Sequence, residues 1–195
     1  MASNTYQPLS ELEAVNLMLA TIGESPVSSL ATTGDLNIAI ATQFLYDTSR
    51  EVQTVGYHFN TEEEYPLALN IDFEIPVPSN NLSLDVSPID SAFDIVTRGS
   101  RLYDRKNHTY FIKQPIRVDI TFFLPWNELP QPARQLIAIQ AARRFQRRVQ
   151  GDDAIEKLTA IEESMAKAQL EDYEATAGDY NLASNDAVFN ILSRY

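Results

Sequence analysis

Catalysis or metal binding needs nucleophiles, bases or ligands at workable spacing, and this chain offers few. It contains no cysteine, so disulfides, thiolate metal sites and cysteine nucleophiles are excluded. Its two histidines, His58 and His108, form no H-x-x-x-H pair, and two imidazoles alone cannot complete a zinc site. His58, between Tyr57 and Phe59, reads as a packed or capping histidine, and His108 as an exposed one. No G-x-S-x-G, P-loop or G-x-G-x-x-G run occurs. Glu62, Glu63 and Glu64 could supply a hydrolase-type pair, which needs two carboxyls about 5–10 Å apart in a cleft. The plainer reading is a solvated acidic run. No catalytic, cofactor or metal residue is therefore assigned, and no cofactor is expected.

The conspicuous functional groups are arginines. Arg143 and Arg147, and likewise Arg144 and Arg148, repeat at i,i+4 on one helical stretch. Like charges at that spacing repel by roughly 0.2–0.5 kcal/mol per pair, so the stretch calls for acidic partners elsewhere. A later helix offers Glu156, Glu162, Glu163, Glu171 and Glu174, in the same subunit or a neighbouring one. These nine residues form the expected subunit interface. The face from Arg134 to Arg148 could instead bind nucleic acid, but it has no interleaved aromatic beyond Phe145 and its neighbour is acidic.

Four helices would position these groups. Ser10 and Glu13 have capping-box spacing, with Leu12, Val15, Met18, Leu19 and Ile22 following and Gly23 as a stop. A second helix is expected from Asp35 to Gln53, with Ile38, Ala41, Leu45 and Val52 inward and Gly56 ending it. A third follows Pro132, with Ile137, Ala138, Ala141, Phe145 and Val149 as its apolar face. The fourth, from Ala154 to Thr176, is capped by Asp152 and ended by Gly178. Its Leu158, Ile161, Met165 and Ala168 suggest a coiled-coil-like seam. Asp179 to Tyr195 reads as an arm.

Between residues 61 and 124 the period becomes two. Strands are expected at Ile71–Val77, Leu82–Val86 and Ile116–Phe122, with a hairpin turning at Asp104–Asn107 towards Tyr110–Ile112. Pro76 and Pro78 place their strand at an edge. The fold class is therefore α+β. Residues 1–60 and 125–195 form a helical bundle, and residues 61–124 form an inserted small antiparallel β subdomain.

Apolar residues make up 44%, no apolar run is long enough to span a membrane, and residues 1–14 lack the features of a signal peptide. The absence of cysteine fits a reducing cytoplasm. Net charge is −12 and unevenly placed. Residues 98–148 hold eleven Lys/Arg against three Asp/Glu, a balance of +8, and the remainder carries four against 24, a balance of −20. A chain this acidic repels DNA in bulk, and its segregated charge points to a partner surface.

The runs AVNLMLATIGESPVSSL, REVQTVGYHFN, LPQPARQLIAIQAARRF and GDYNL, in that order, resemble the tail tubular protein A family of T7-like short-tailed phages. The resemblance implies a non-enzymatic virion tail component, assembled in the host bacterial cytoplasm. It implies a dodecameric ring between the portal and the tail nozzle protein, with tail fibres at its rim. Genome DNA would pass through its lumen without sequence-specific binding. A closed ring needs a heterologous interface, and two oppositely charged patches on one chain would suit it. The alternatives are a tail-associated polysaccharide or peptidoglycan hydrolase and a free DNA-binding protein.

Overall fold

The computed structural model describes residues 7–31, 35–151 and 153–178, the side chains of 153–158 excepted. Helices α1 (Glu11–Thr21) and α2 (Leu36–Thr54) precede strands β1 (Thr61–Leu67), β2 (Asn81–Val86), β3 (Ile95–Arg98), β4 (Arg101–Asp104) and β5 (Ile116–Phe122). Helices α3 (Gln131–Val149) and α4 (Asp153–Ala177) follow, giving the expected α+β class. The Asp152 cap, the segment from Asp179 and the side chains of Glu156 and Leu158 lie outside the described residues.

The helices form where their end signals stand. The Ser10 hydroxyl accepts from the Glu13 amide, and the Glu13 carboxylate accepts from the Ser10 amide, so two orphan donors are satisfied reciprocally. These bonds hold the Glu13 carboxyl below its ordinary pKa. Gly23 adopts φ 79°, and the Gly23 and Glu24 amides close back on Ala20 and Leu19. Asp35 caps α2 through the Asn37 and Ile38 amides. Met18, Leu19, Leu45, Leu136, Ile137, Phe145 and Leu170 meet in one buried cluster. Each large apolar side chain buried there contributes about 1.5–3 kcal/mol. Val149, expected on the apolar face of α3, is exposed because it lies in the last turn beyond the packed region.

The β region departs further from expectation. β5 is central in a three-stranded antiparallel sheet ordered β1-β5-β2, and β3 pairs only with β4. Ile71–Val77 is not a strand. Asn70 accepts from the Asp72 and Glu74 amides through its side chain and turns the segment into a loop. Only Pro76 keeps a bridge, to Arg101. The acidic Thr61–Leu67 segment is the missing strand. Glu62, Glu63 and Glu64 are exposed on its edge, and a bulge at Glu64 (φ 54°) shifts its register. The hairpin partner of Leu102–Tyr103 is β3, turning at Gly99–Ser100, and not Tyr110–Ile112. Asp104–Thr109 closes as a lone bridge. Burial would raise the Asp104 carboxyl pKa, but hydrogen bonds from Asn107 and the Lys106 amide outweigh it and lower the pKa.

This region has its own cluster, with Ile75, Leu102, Ile116, Val118 and Ile120 fully buried, and Leu124 touches both clusters. Two buried amides tie the regions together. Gln53 Nε2 donates to Leu124 O (3.1 Å) and its Oε1 accepts from the Leu124 amide (2.8 Å). Asn60 Nδ2 donates to Gln53 O and Phe122 O, both at 2.9 Å. Gly56 lies in the same joint at φ 78°, where a Cβ would meet Thr121 Oγ1 at 3.2 Å. A side chain there would be strained twice, by the backbone and by contact.

Candidate interaction surface

The arginines of α3 divide into two groups. Arg143 Nη1 donates to Glu163 on α4 at 2.7 Å, and Gln140 reaches the other Glu163 oxygen at 3.0 Å. Arg144 Nη2 lies 2.6 Å from Glu51 on α2, and its Nη1 is 3.4 Å from Thr48 Oγ1. Both cations thus hold α3 to its neighbours within one chain. Glu51 was not foreseen, and its signal in the sequence was only an acid on the second helix. Arg147 and Arg148 occupy the exposed last turn, where positive charge complements the carbonyl end of the helix dipole. Together with Arg144 they surround Phe44.

Arg134 belongs to no arginine face. It is buried, and its guanidinium donates to the carbonyls of Leu129 (2.8 Å), Leu9 (3.1 Å) and Asn127 (2.9 Å).

The acids of α4 also divide. Glu163 is engaged with α3. Glu174 is half-buried and accepts from the His58 amide, so it ties the end of α4 to the turn after α2. Burial, with Glu171 and Glu174 nearby, raises the Tyr57 pKa. The His58 side chain is exposed rather than packed, because its backbone is what the fold holds, and Tyr57 stacks directly on Phe59. His108 is exposed as expected. Glu162 and Glu171 are exposed, with Lys167 3.8 Å from Glu171.

Among the described side chains of α4, Thr159, Ala166 and Leu170 are buried against the bundle. Of the expected seam, Ile161 and Met165 are 54% and 61% exposed and Ala168 is exposed too. The seam runs along the outside because α3 engages the adjacent stripe. Met165 borders a groove of about 420 Å³ between α1, α3 and α4, with Leu17, Ile139, Ala142 and Glu162 in its walls.

A second apolar surface lies in the β region. Ile71 is 94% exposed, and Phe73 and Phe111 are about half exposed with ring centroids 5.1 Å apart. Nearby, Arg98 sits over the Tyr103 ring and Arg101 over Tyr110. Among the described residues no group of three or more His, Cys, Asp or Glu could hold a metal, and no helix is long and apolar enough to cross a membrane. Among the described residues the arrangement displays apolar and charged surfaces.

Comparison with known proteins agrees with that character. Residues 12–180 match the family model of the tail tubular proteins. The chain is 28% identical over 130 residues to the tail tubular protein A of Klebsiella phage KP34, across 67% of this chain and 68% of that protein. With the family match spanning most of its length, the chain belongs to the tail tubular protein family, a structural component of the phage virion tail and not an enzyme.

Proposed function

We propose that the chain forms a ring, dodecameric as the family resemblance implies, joining the portal to the tail nozzle protein. Tail fibres dock at its rim and genome DNA passes through its lumen during ejection. Family membership over residues 12–180 carries this reading. The segregation of charge supports it: exposed acids on α4 and a basic last turn on α3 give one subunit two complementary patches. An acidic lumen would not grip phosphates and stall transit.

In this reading the interface uses the basic end of α3 against Glu171 of a neighbour, while Arg143, Arg144, Glu163 and Glu174 hold the subunit itself together. Each exposed pair is worth only about 0–1 kcal/mol, but a ring repeats the contact at every interface. The test is mass measurement of the purified chain, alone and with the portal of the same virus. Rings are expected, and Arg148→Glu should weaken them in a salt-dependent way while the monomer stays folded. Glu171→Arg should restore them in part. A strictly monomeric mass with the portal present contradicts the ring, and rings indifferent to the charge reversal at any salt remove this helix end from the interface.

The division into a bundle (1–60 and 125–195) and an insertion (61–124) is part of the same proposal. The two clusters of buried residues support it. So does the 2.8 Å bond from the Phe122 amide to Asn60 O, which brings the ends of the insertion side by side. Replacing 61–124 by a short glycine linker is expected to leave a helical chain by circular dichroism that fails to join the tail. Infectious tails built with the truncated chain would show the insertion makes no required contact.

A further inference from the structure

The loop bearing Ile71 and Phe73 is built for display. Asn70 fixes it from three sides: its side-chain oxygen takes the Asp72 and Glu74 amides, its own amide donates to Glu74 O, and its carbonyl takes the Phe73 amide. Phe73 is held at φ 58°, and its carbonyl accepts from the Ile112 amide at 2.8 Å, which locks the loop beside Phe111. A bulky residue in the left-handed region costs of order 1–3 kcal/mol and persists only where the surroundings impose it. Here that strain presents Ile71, Phe73 and Phe111 together to solvent, a rigid apolar projection that a monomer has no reason to keep.

The same chain carries a concave counterpart, the groove of Leu17, Ile139, Ala142 and Met165. Charge favours their meeting. Around the projection, Arg101 pairs with Glu74 and Arg105 with Asp94. Lys113 stands beside Phe111, and Lys106 beside the buried Asp104. The groove has Glu162 in its wall, and Asp172 lies two turns along α4 from Met165 on the same side, with no cation among the described lining residues.

We infer that the Ile71–Phe73–Phe111 projection of one subunit seats in the α1–α3–α4 groove of a second copy, with Lys113 and Lys106 towards Glu162 and Asp172. The inference rests on the ring reading and supplies it with a head-to-tail contact between two unlike patches. The test uses the full-length chain assembled with the portal of the same virus and carrying p-benzoyl-phenylalanine in place of Ile71, a position exposed enough to accept it. Irradiation is expected to yield covalent subunit–subunit products whose peptides map to Leu17–Thr21, Gln135–Ala142 or Thr159–Gln169. Met165→Glu should abolish both the products and the rings, with helix content unchanged. Rings that form normally but give adducts only with the portal, or none, overturn this contact and leave the ring standing. A chain that stays monomeric beside the portal overturns both.

Discussion

Replacing Arg134 by Met is expected to destabilise the chain by roughly 2–5 kcal/mol, since each buried carbonyl left without its partner costs about 1–3 kcal/mol. Arg134 is 8% exposed and meets no carboxylate among the described residues; three carbonyls, from Leu9, Asn127 and Leu129, receive its guanidinium. Methionine restores the volume and none of the donors. Leu9 O would keep the Trp126 indole N–H at 2.8 Å, but the other two carbonyls would lose the partner described here. Arg134→Lys should retain only part of the stability, since an ammonium cannot reach three acceptors set to a planar fork. Trp126 is the chain's single tryptophan and shares Leu9 O with Arg134, so it reports on the same site. The denaturant midpoint should fall and native-state emission should shift to the red. An unchanged midpoint and spectrum for Arg134→Met would show that the carbonyl clamp contributes nothing.

The second large effect is expected at the joint. Gln53→Leu keeps the volume and leaves the Leu124 amide and carbonyl buried without their side-chain partners, at about 1–3 kcal/mol each. Loss of the bond to Ser49 Oγ adds to this. A total of roughly 2–5 kcal/mol corresponds to a fall in Tm of about 5–15 °C for a chain of this size. Gln53→Glu separates size from hydrogen bonding: it keeps the acceptor for the Leu124 amide and removes the donor to its carbonyl. Hydrogen exchange adds a local readout. The amides of Phe122 and Leu124 should lose protection in Gln53→Leu, whereas those of Val118 and Ile120, inside the sheet, should keep it. Uniform protection across β5 in the variant would mean that the joint is held by packing alone.

What the sequence made legible follows the range of the forces involved. Helix ends are set by residues within one turn, so Ser10–Glu13, Asp35, Gly23 and Gly56 could be read directly and stand where expected. The seam of α4 was ambiguous because two stripes of small and apolar residues run side by side, and only α3 decides between them. Alternation at Ile71–Val77 was matched by residues that serve a loop, since Asn70 competes for the backbone amides. β1 carries no alternation at all. Its register comes from β5, 49 to 60 residues away, through pairs such as Thr61 with Thr121 and Leu67 with Ile116. The same limit applies to the arginines. Repulsion at i,i+4 announced that partners were needed, but Glu51 and the Leu9 carbonyl lie far along the chain from Arg144 and Arg134 and carry no local mark.

The joint between bundle and insertion has a mechanical consequence. The chain leaves α2 through β1 and returns to α3 through β5, and these strands are antiparallel neighbours whose bundle-side ends meet at Thr61 and Thr121. A pull on the far end of the insertion stretches both strands in the same sense. The hydrogen bonds between them are not sheared past one another, and the load runs through covalent backbone into the end of α2 and the start of α3. The insertion hangs from the bundle like a strap with two legs. Those legs end on two helices that the Arg144–Glu51 pair already fastens together, so tension at the tip is shared before it can peel either helix away.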